Sequence, residues 1–145
     1  MMFSKACEYG IRAAVYIALH SLEGRRVSVA EIADEIDSPV AFTAKTLQLL
    51  TRNNIVKSIK GPNGGFEIER EDMDSVKLSM IVKAIDGDQI YVGCGLGLKK
   101  CNADQPCPLH DKFVDIRSNL RKMLTSTSLY ELATGLEVGL TYLKR

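Results

Sequence analysis

Apolar positions along the chain change period several times, and each change marks an element. Ile11, Ala14, Val15, Ala18, Leu19 and Leu22 recur at steps of three and one, which gathers them on one face of a helix over residues 4–21 with Ser4 as its cap. Ser28-x-x-Glu31 is a capping box, and Ala30, Ile32, Ala33 and Ile36 give the helix behind it a short apolar face. Ser38-Pro39 signals another start, because proline is tolerated at the first helical position, and Phe42, Leu47, Leu49 and Leu50 carry that helix to Asn53-Asn54. The period then falls to two. Ile55–Ile59 and Phe66–Glu69 read as strands joined by the turn Gly61-Pro62-Asn63-Gly64-Gly65. Two short helices after a longer one, closed by a glycine-rich hairpin, form the layout of a winged helix-turn-helix.

Met80, Ile81, Ala84 and Ile85 predict one more short helix, after which no periodicity survives from Gly87 to His110. Phe113, Ile116, Leu120 and Met123 then make a seam of a/d type. Ser128-x-x-Glu131 restarts a helix carrying Leu129, Leu132, Leu136, Leu140 and Leu143. The expected fold is mainly α with a small β-hairpin wing: a DNA-binding unit over 1–86, a cysteine-containing sensor loop over 87–110, and dimerisation helices over 111–145. A long helix projecting from so small a core needs a second copy to cover its apolar side, so a homodimer is expected.

The 145 residues are 46% apolar, which suffices for a core, and no apolar run approaches the roughly 20 residues of a membrane span. A soluble, cytoplasmic protein is therefore expected, without a membrane partner. The net charge of +1 conceals an asymmetry. Between Ser38 and Phe66 stand Lys45, Arg52, Lys57 and Lys60 and no acidic residue, whereas Glu31, Asp34, Glu35 and Asp37 precede the strip and Glu67, Glu69, Glu71, Asp72 and Asp74 follow it. Such a strip suits the phosphates of a double-stranded operator. The start of the second helix of the motif faces base edges, which selects Ala41, Thr43, Ala44, Lys45 and Gln48: lysine donates to guanine, glutamine pairs with adenine, and methyl groups meet thymine. Arg52, the hairpin-tip residues Lys60 and Asn63, and the helix caps Ser4 and Ser28 complete the expected DNA-facing set.

Three of the four cysteines, Cys94, Cys101 and Cys107, fall in the aperiodic stretch, ahead of His110. Their spacing is wider than the close pairs of structural zinc sites. Three thiolates on a glycine-rich loop suit an iron-sulfur cluster, 2Fe-2S or 4Fe-4S, with His110 or Glu8 of a partner's first helix as the fourth ligand. A thiol switch without a cluster, or zinc, is the alternative on spacing alone. Cys7, remote from the other thiols, is expected to be packed and inert. A thiol redox enzyme is disfavoured, since no C-x-x-C pair or strand-helix-strand scaffold occurs, and a winged helix serving as a protein-interaction module is disfavoured by the acid-free strip.

Several stretches carry a family resemblance: Phe3-Ser4-Lys5 through Tyr9 and Arg12, the capping-box helix from Ser28, Thr46 to Val56, and above all Lys60-Gly61-Pro62-Asn63-Gly64-Gly65-Phe66. With the three-cysteine loop and long helix, the chain resembles, over nearly its full length, the bacterial winged-helix iron-sulfur transcriptional regulators of the IscR/NsrR type. The resemblance implies a homodimer on a pseudo-palindromic operator, acting as a repressor whose affinity follows cluster state. It implies that Cys94, Cys101 and Cys107 hold the cluster, with His110 as fourth ligand in one branch and an acid at the position of Glu8 in another. The chain departs from the family pattern in a first cysteine gap of six residues where five is usual, and in Ala44 where an acidic residue is usual in the IscR branch.

Overall fold

The computed structural model describes residues 2–92, 96–99 and 101–144. Among these residues, eight helices and one hairpin follow in the order α1 (Lys5–Leu22), α2 (Val29–Glu35), α3 (Val40–Arg52), β1 (Lys57–Ile59), β2 (Gly65–Glu67), α4 (Arg70–Met73), α5 (Leu78–Asp86), α6 (Gln89–Val92), α7 (His110–Ser126) and α8 (Leu129–Glu137). The architecture is the expected winged helix-turn-helix with a long helix behind it.

Helix α1 is the centre of the molecule. Cys7, Gly10, Ala13, Ala14, Val15, Ile17 and Ala18 are all buried, a wider belt than the single stripe read from the sequence, because α2, α3, α5 and α8 all pack on it. Its small residues admit that many neighbours: a methyl group at Gly10 would overlap Ile85 Cδ1 and come within 3.3 Å of Thr46 Cγ2. The capping residues behave as expected, the Ser4 and Ser28 hydroxyls accepting from the amides of Cys7 (3.0 Å) and Glu31 (3.2 Å).

Pro39 lies one position earlier than the sequence suggested. It precedes the first turn of α3 rather than occupying it, and supplies no side-chain cap. The turn between α2 and α3 is made by Asp37 in the left-handed region (φ 54°), and Asn54 (φ 60°) ends α3 the same way. The hairpin strands are shorter than their apolar alternation implied, with Lys57 opposite Glu67, Ser58 opposite Phe66 and Ile59 opposite Gly65. Val27 adds an edge by exchanging both backbone bonds with Phe66 (3.2 and 2.8 Å).

The C-terminal third departs most from expectation. Within the segment expected to serve dimerisation, α8 packs on α1 of the same chain and buries Leu129 and Ala133. The leucine period does not continue to Leu140 and Leu143, because Gly139 (φ 78°) follows the end of α8 and both leucines are exposed. The seam along α7 splits as well: Leu120 packs on the core, while Ile116 (59% exposed) and Met123 (47%) face outward. Helices α4 and α6 were not anticipated, since one turn of helix carries no period to read. In α6, Tyr91 lies under Arg121 of α7, the guanidinium 4.0 Å from the ring centroid.

Candidate nucleic-acid interface and cysteine segment

Helix α3 has two chemically distinct sides. Thr43, Thr46, Leu47 and Leu50 point into the core, while Ala41, Lys45, Gln48 and Arg52 are exposed and Ala44 is half-buried between them. These five fall at helical spacing, so they form one outward stripe. Thr43 must be removed from the expected reading set. It is 1% exposed and its hydroxyl donates to the Pro39 carbonyl (3.0 Å), which holds the first turn of α3 instead of facing DNA. Val40, 55% exposed at the start of the helix, is a surface position the sequence reading missed.

The wing is built by close backbone approach. A Cβ at Gly64 would overlap the Ile59 carbonyl, and Gly65 (φ 138°) would place one 2.8 Å from the Val27 carbonyl oxygen, so neither position accepts a side chain without movement. Arg26 pins the tip from outside, donating to the Asn63 carbonyl and to Glu67 Oε2, each at 3.1 Å. Lys60 and Asn63 stand exposed there. Lys57 is ion-paired with Glu69, which raises its pKa chiefly through that hydrogen bond, so one of the four cations of the strip is balanced locally. Among the described residues no salt bridge reaches Lys45, Arg52 or Lys60.

At the base of the motif, Arg25 holds Glu31 through two hydrogen bonds (3.0 and 2.7 Å), and the Tyr16 hydroxyl donates to the same carboxylate (2.6 Å). The Arg25 bond is the main reason the Glu31 pKa falls to about 2. Tyr16 is pushed to about 12, by burial first and by its bond to Glu31 second. Ser28 remains exposed beside this network as the α2 cap. Ser4 is less available than expected: its N–H donates to Asp86 Oδ2 (3.0 Å) and its hydroxyl to Asp86 Oδ1.

In the cysteine segment, Cys101 and His110 come together, with Sγ 3.5 Å from Nδ1, and Arg117 Nη2 donates to the same sulfur at 3.4 Å. His110 opens α7 and Arg117 lies two turns along it, so both partners of the thiol ride on one helix. Cys101 is exposed and Cys107 half-buried. Cys107 adjoins the helix start through its carbonyl, which accepts from the His110 amide (3.0 Å), but its thiol does not join the pair. Cys94 lies outside the described residues. Among those described, no three histidine, cysteine or acidic side chains converge on one metal position. Glu8 sits on α1 beside Cys7, apart from Cys101 and His110 of its own chain. Cys7 is fully buried, and burial, with the Asp86 carboxylate next, pushes its thiol to about 12, which makes it unreactive.

A recognition helix with a cationic outer stripe and a pinned glycine wing defines a DNA-binding winged helix-turn-helix regulator. The family profile of Rrf2, described as an iron-dependent transcriptional regulator, matches residues 3–135, and the chain belongs to that family. It is 33% identical over 134 residues to a putative helix-turn-helix transcriptional regulator of Aquifex aeolicus, covering 91% of each chain. It is 28% identical over 138 residues to the transcriptional regulator IscR of Xenorhabdus nematophila, covering 95% of this chain and 82% of that one. CymR, the global cysteine regulator of B. subtilis, shares the fold with a TM-score of 0.73 at 22% identity, covering 91% of this chain and 95% of that one. These relatives are transcriptional regulators and not enzymes. No helix among the described residues is long and apolar enough to cross a membrane.

Proposed function

We propose that this DNA-binding regulator is a homodimeric repressor whose operator affinity responds to an iron-sulfur cluster held by Cys94, Cys101, Cys107 and His110. The observation that carries the reading is the convergence of the Cys101 sulfur and the His110 ring at 3.5 Å, at the exposed start of α7. Two thiols and an imidazole within ten residues are soft donors of the kind iron-sulfur clusters use, and the Arg117 guanidinium supplies a positive charge beside the sulfur. The donor set therefore fits such a group in its chemistry, and closing it takes movement of the Cys107 side chain. When bound, the cluster supplies a centre sensitive to oxidation and nitric oxide.

The chain's own residues do the rest. His110 and Arg117 anchor the loop to α7, while Ile116 and Met123 leave apolar surface on one face of that helix that a second copy would cover. Lys45, Gln48, Arg52 and Lys60 meet the operator.

Protein purified without oxygen is expected to be coloured and to contain iron and acid-labile sulfide; a colourless, zinc-rich protein after reconstitution contradicts the cluster. His110→Ala is expected to change the cluster spectrum. If only Glu8→Ala does so, the fourth ligand is the partner's acid. The second reading, a thiol switch without a cluster, rests on the exposure of Cys101 beside Arg117 and predicts operator binding that responds to oxidant with no iron present.

A further inference from the structure

The end of α5 is tied to the beginning of α1 by a contact that neither the DNA-facing surface nor the cysteine segment requires. Asp86, the last residue of α5, accepts from both the N–H and the hydroxyl of Ser4 and also faces the Cys7 thiol. A carboxylate is well placed at the N-terminal end of α1, where amides lack partners and the helix dipole is positive, and poorly placed at the C-terminal end of its own helix. The interhelical contact is thus what holds it. One residue earlier, Ile85 fills the notch left by Gly10, where Thr46 of α3 also closes in. On the next turn of this surface, Tyr9 meets Phe42 of α3 edge-on, with ring centroids 5.6 Å apart. The last turn of α5 therefore touches both the first turns of α1 and the core side of the recognition helix. Directly after it, Gly87 takes a backbone conformation (φ 72°, ψ −149°) open essentially to glycine alone, and there the chain departs for the cysteine segment.

We infer that Asp86 is a positioning residue for DNA recognition: by clamping the start of α1 to the end of α5, it keeps Ile85 seated in the Gly10 notch and so fixes where the outer stripe of α3 lies. The inference rests on the chain's DNA binding but not on the cluster. Asp86 touches no predicted DNA-facing side chain except Ser4, so its effect on the operator passes through α1 and α3.

The test uses full-length, metal-free, reduced protein and a DNA fragment enriched by the wild-type protein from a random-sequence library. Asp86→Ala is expected to weaken binding of that fragment by about tenfold, within the range of ordinary intramolecular coupling, and to speed hydrogen exchange in the first turn of α1 and in α3. Asp86→Asn, which keeps an acceptor for Ser4, is expected to bind within about threefold of wild type. Ser4→Ala, which keeps the backbone donor, serves if Asp86→Ala fails to fold, and is expected to weaken binding by a smaller factor. Folded Asp86→Ala and Ser4→Ala proteins that bind like wild type, with faster exchange confined to α1, would reduce the contact to a helix cap and overturn the inference. A wild-type protein that enriches no sequence either metal-free or after cluster loading would instead remove the DNA binding on which the inference rests.

Discussion

Helices α3 and α7 are both amphipathic and both lie at the surface, yet they expose different chemistry. It buries Thr43, Thr46, Leu47 and Leu50 and presents small, polar and cationic groups outward. Helix α7 buries only Leu124 fully and leaves Val114, Ile116 and Met123 in water among its charged residues. The outer side of α3 suits a polyanion, and the outer side of α7 suits another apolar surface. Exposure alone thus says little about function; the chemistry of what is exposed decides what should cover it.

The largest expected effect separates the two helices by stability. Leu47→Ala leaves a cavity under α3 and should cost roughly 3 kcal/mol in denaturant unfolding. Ile116→Ala on α7 should cost under about 0.5 kcal/mol in unfolding of the monomer. Equal costs would mean that the two helices do not differ as described. Ile116→Asp with Met123→Asp tests the other half of the contrast: sedimentation should show wild type as a dimer and the double variant as a folded monomer, and an unchanged sedimentation coefficient would place the interface elsewhere.

The outer stripe of α3 and the wing give the next effect. Lys45→Ala and Lys60→Ala should each weaken binding to an enriched DNA fragment several-fold and flatten its salt slope by about one. Lys57→Ala, whose charge is already met by Glu69, should do less. The smallest effect belongs to the scaffold behind α2. The Glu31 pKa is lowered from 4.5 to about 2, so its contribution to stability is present above pH 4.5 and is lost as pH falls from 4.5 toward 2. The pair with Arg25 is partly solvated, so the change should be about 1 kcal/mol or less. Glu31→Gln should remove it from an acid titration of stability.

The contrast also explains what was legible in the sequence. Elements that close on themselves leave signals within a few residues: Ser28 and Ser128 cap α2 and α8 as their spacing suggested, and the glycines at 64 and 65 build the tight hairpin. Thr43 was misread because a threonine in a first helical turn faces DNA or core according to a rotation of one residue, which only packing fixes. The packing of α8 on α1 was not legible because Leu129, Leu132 and Leu136 suit any apolar partner, and α1 of the same chain lies too far away in sequence to be recognised. Asp86 gave no signal, since the contact with Ser4 spans 82 positions. In the cysteine segment the residue types were legible and their arrangement was not, because loop geometry without a helical or strand period leaves nothing to count.

Under the proposed function, the cysteine segment and the outer stripe of α3 act on one another. The most direct test titrates one enriched DNA fragment with the cluster-loaded protein and with the same protein stripped of iron. The predicted midpoints differ by about 5–150-fold, the range of ordinary allosteric coupling, and the Cys101→Ala variant gives a single midpoint under both conditions. Superimposable curves for the loaded and stripped wild-type protein would contradict the claim.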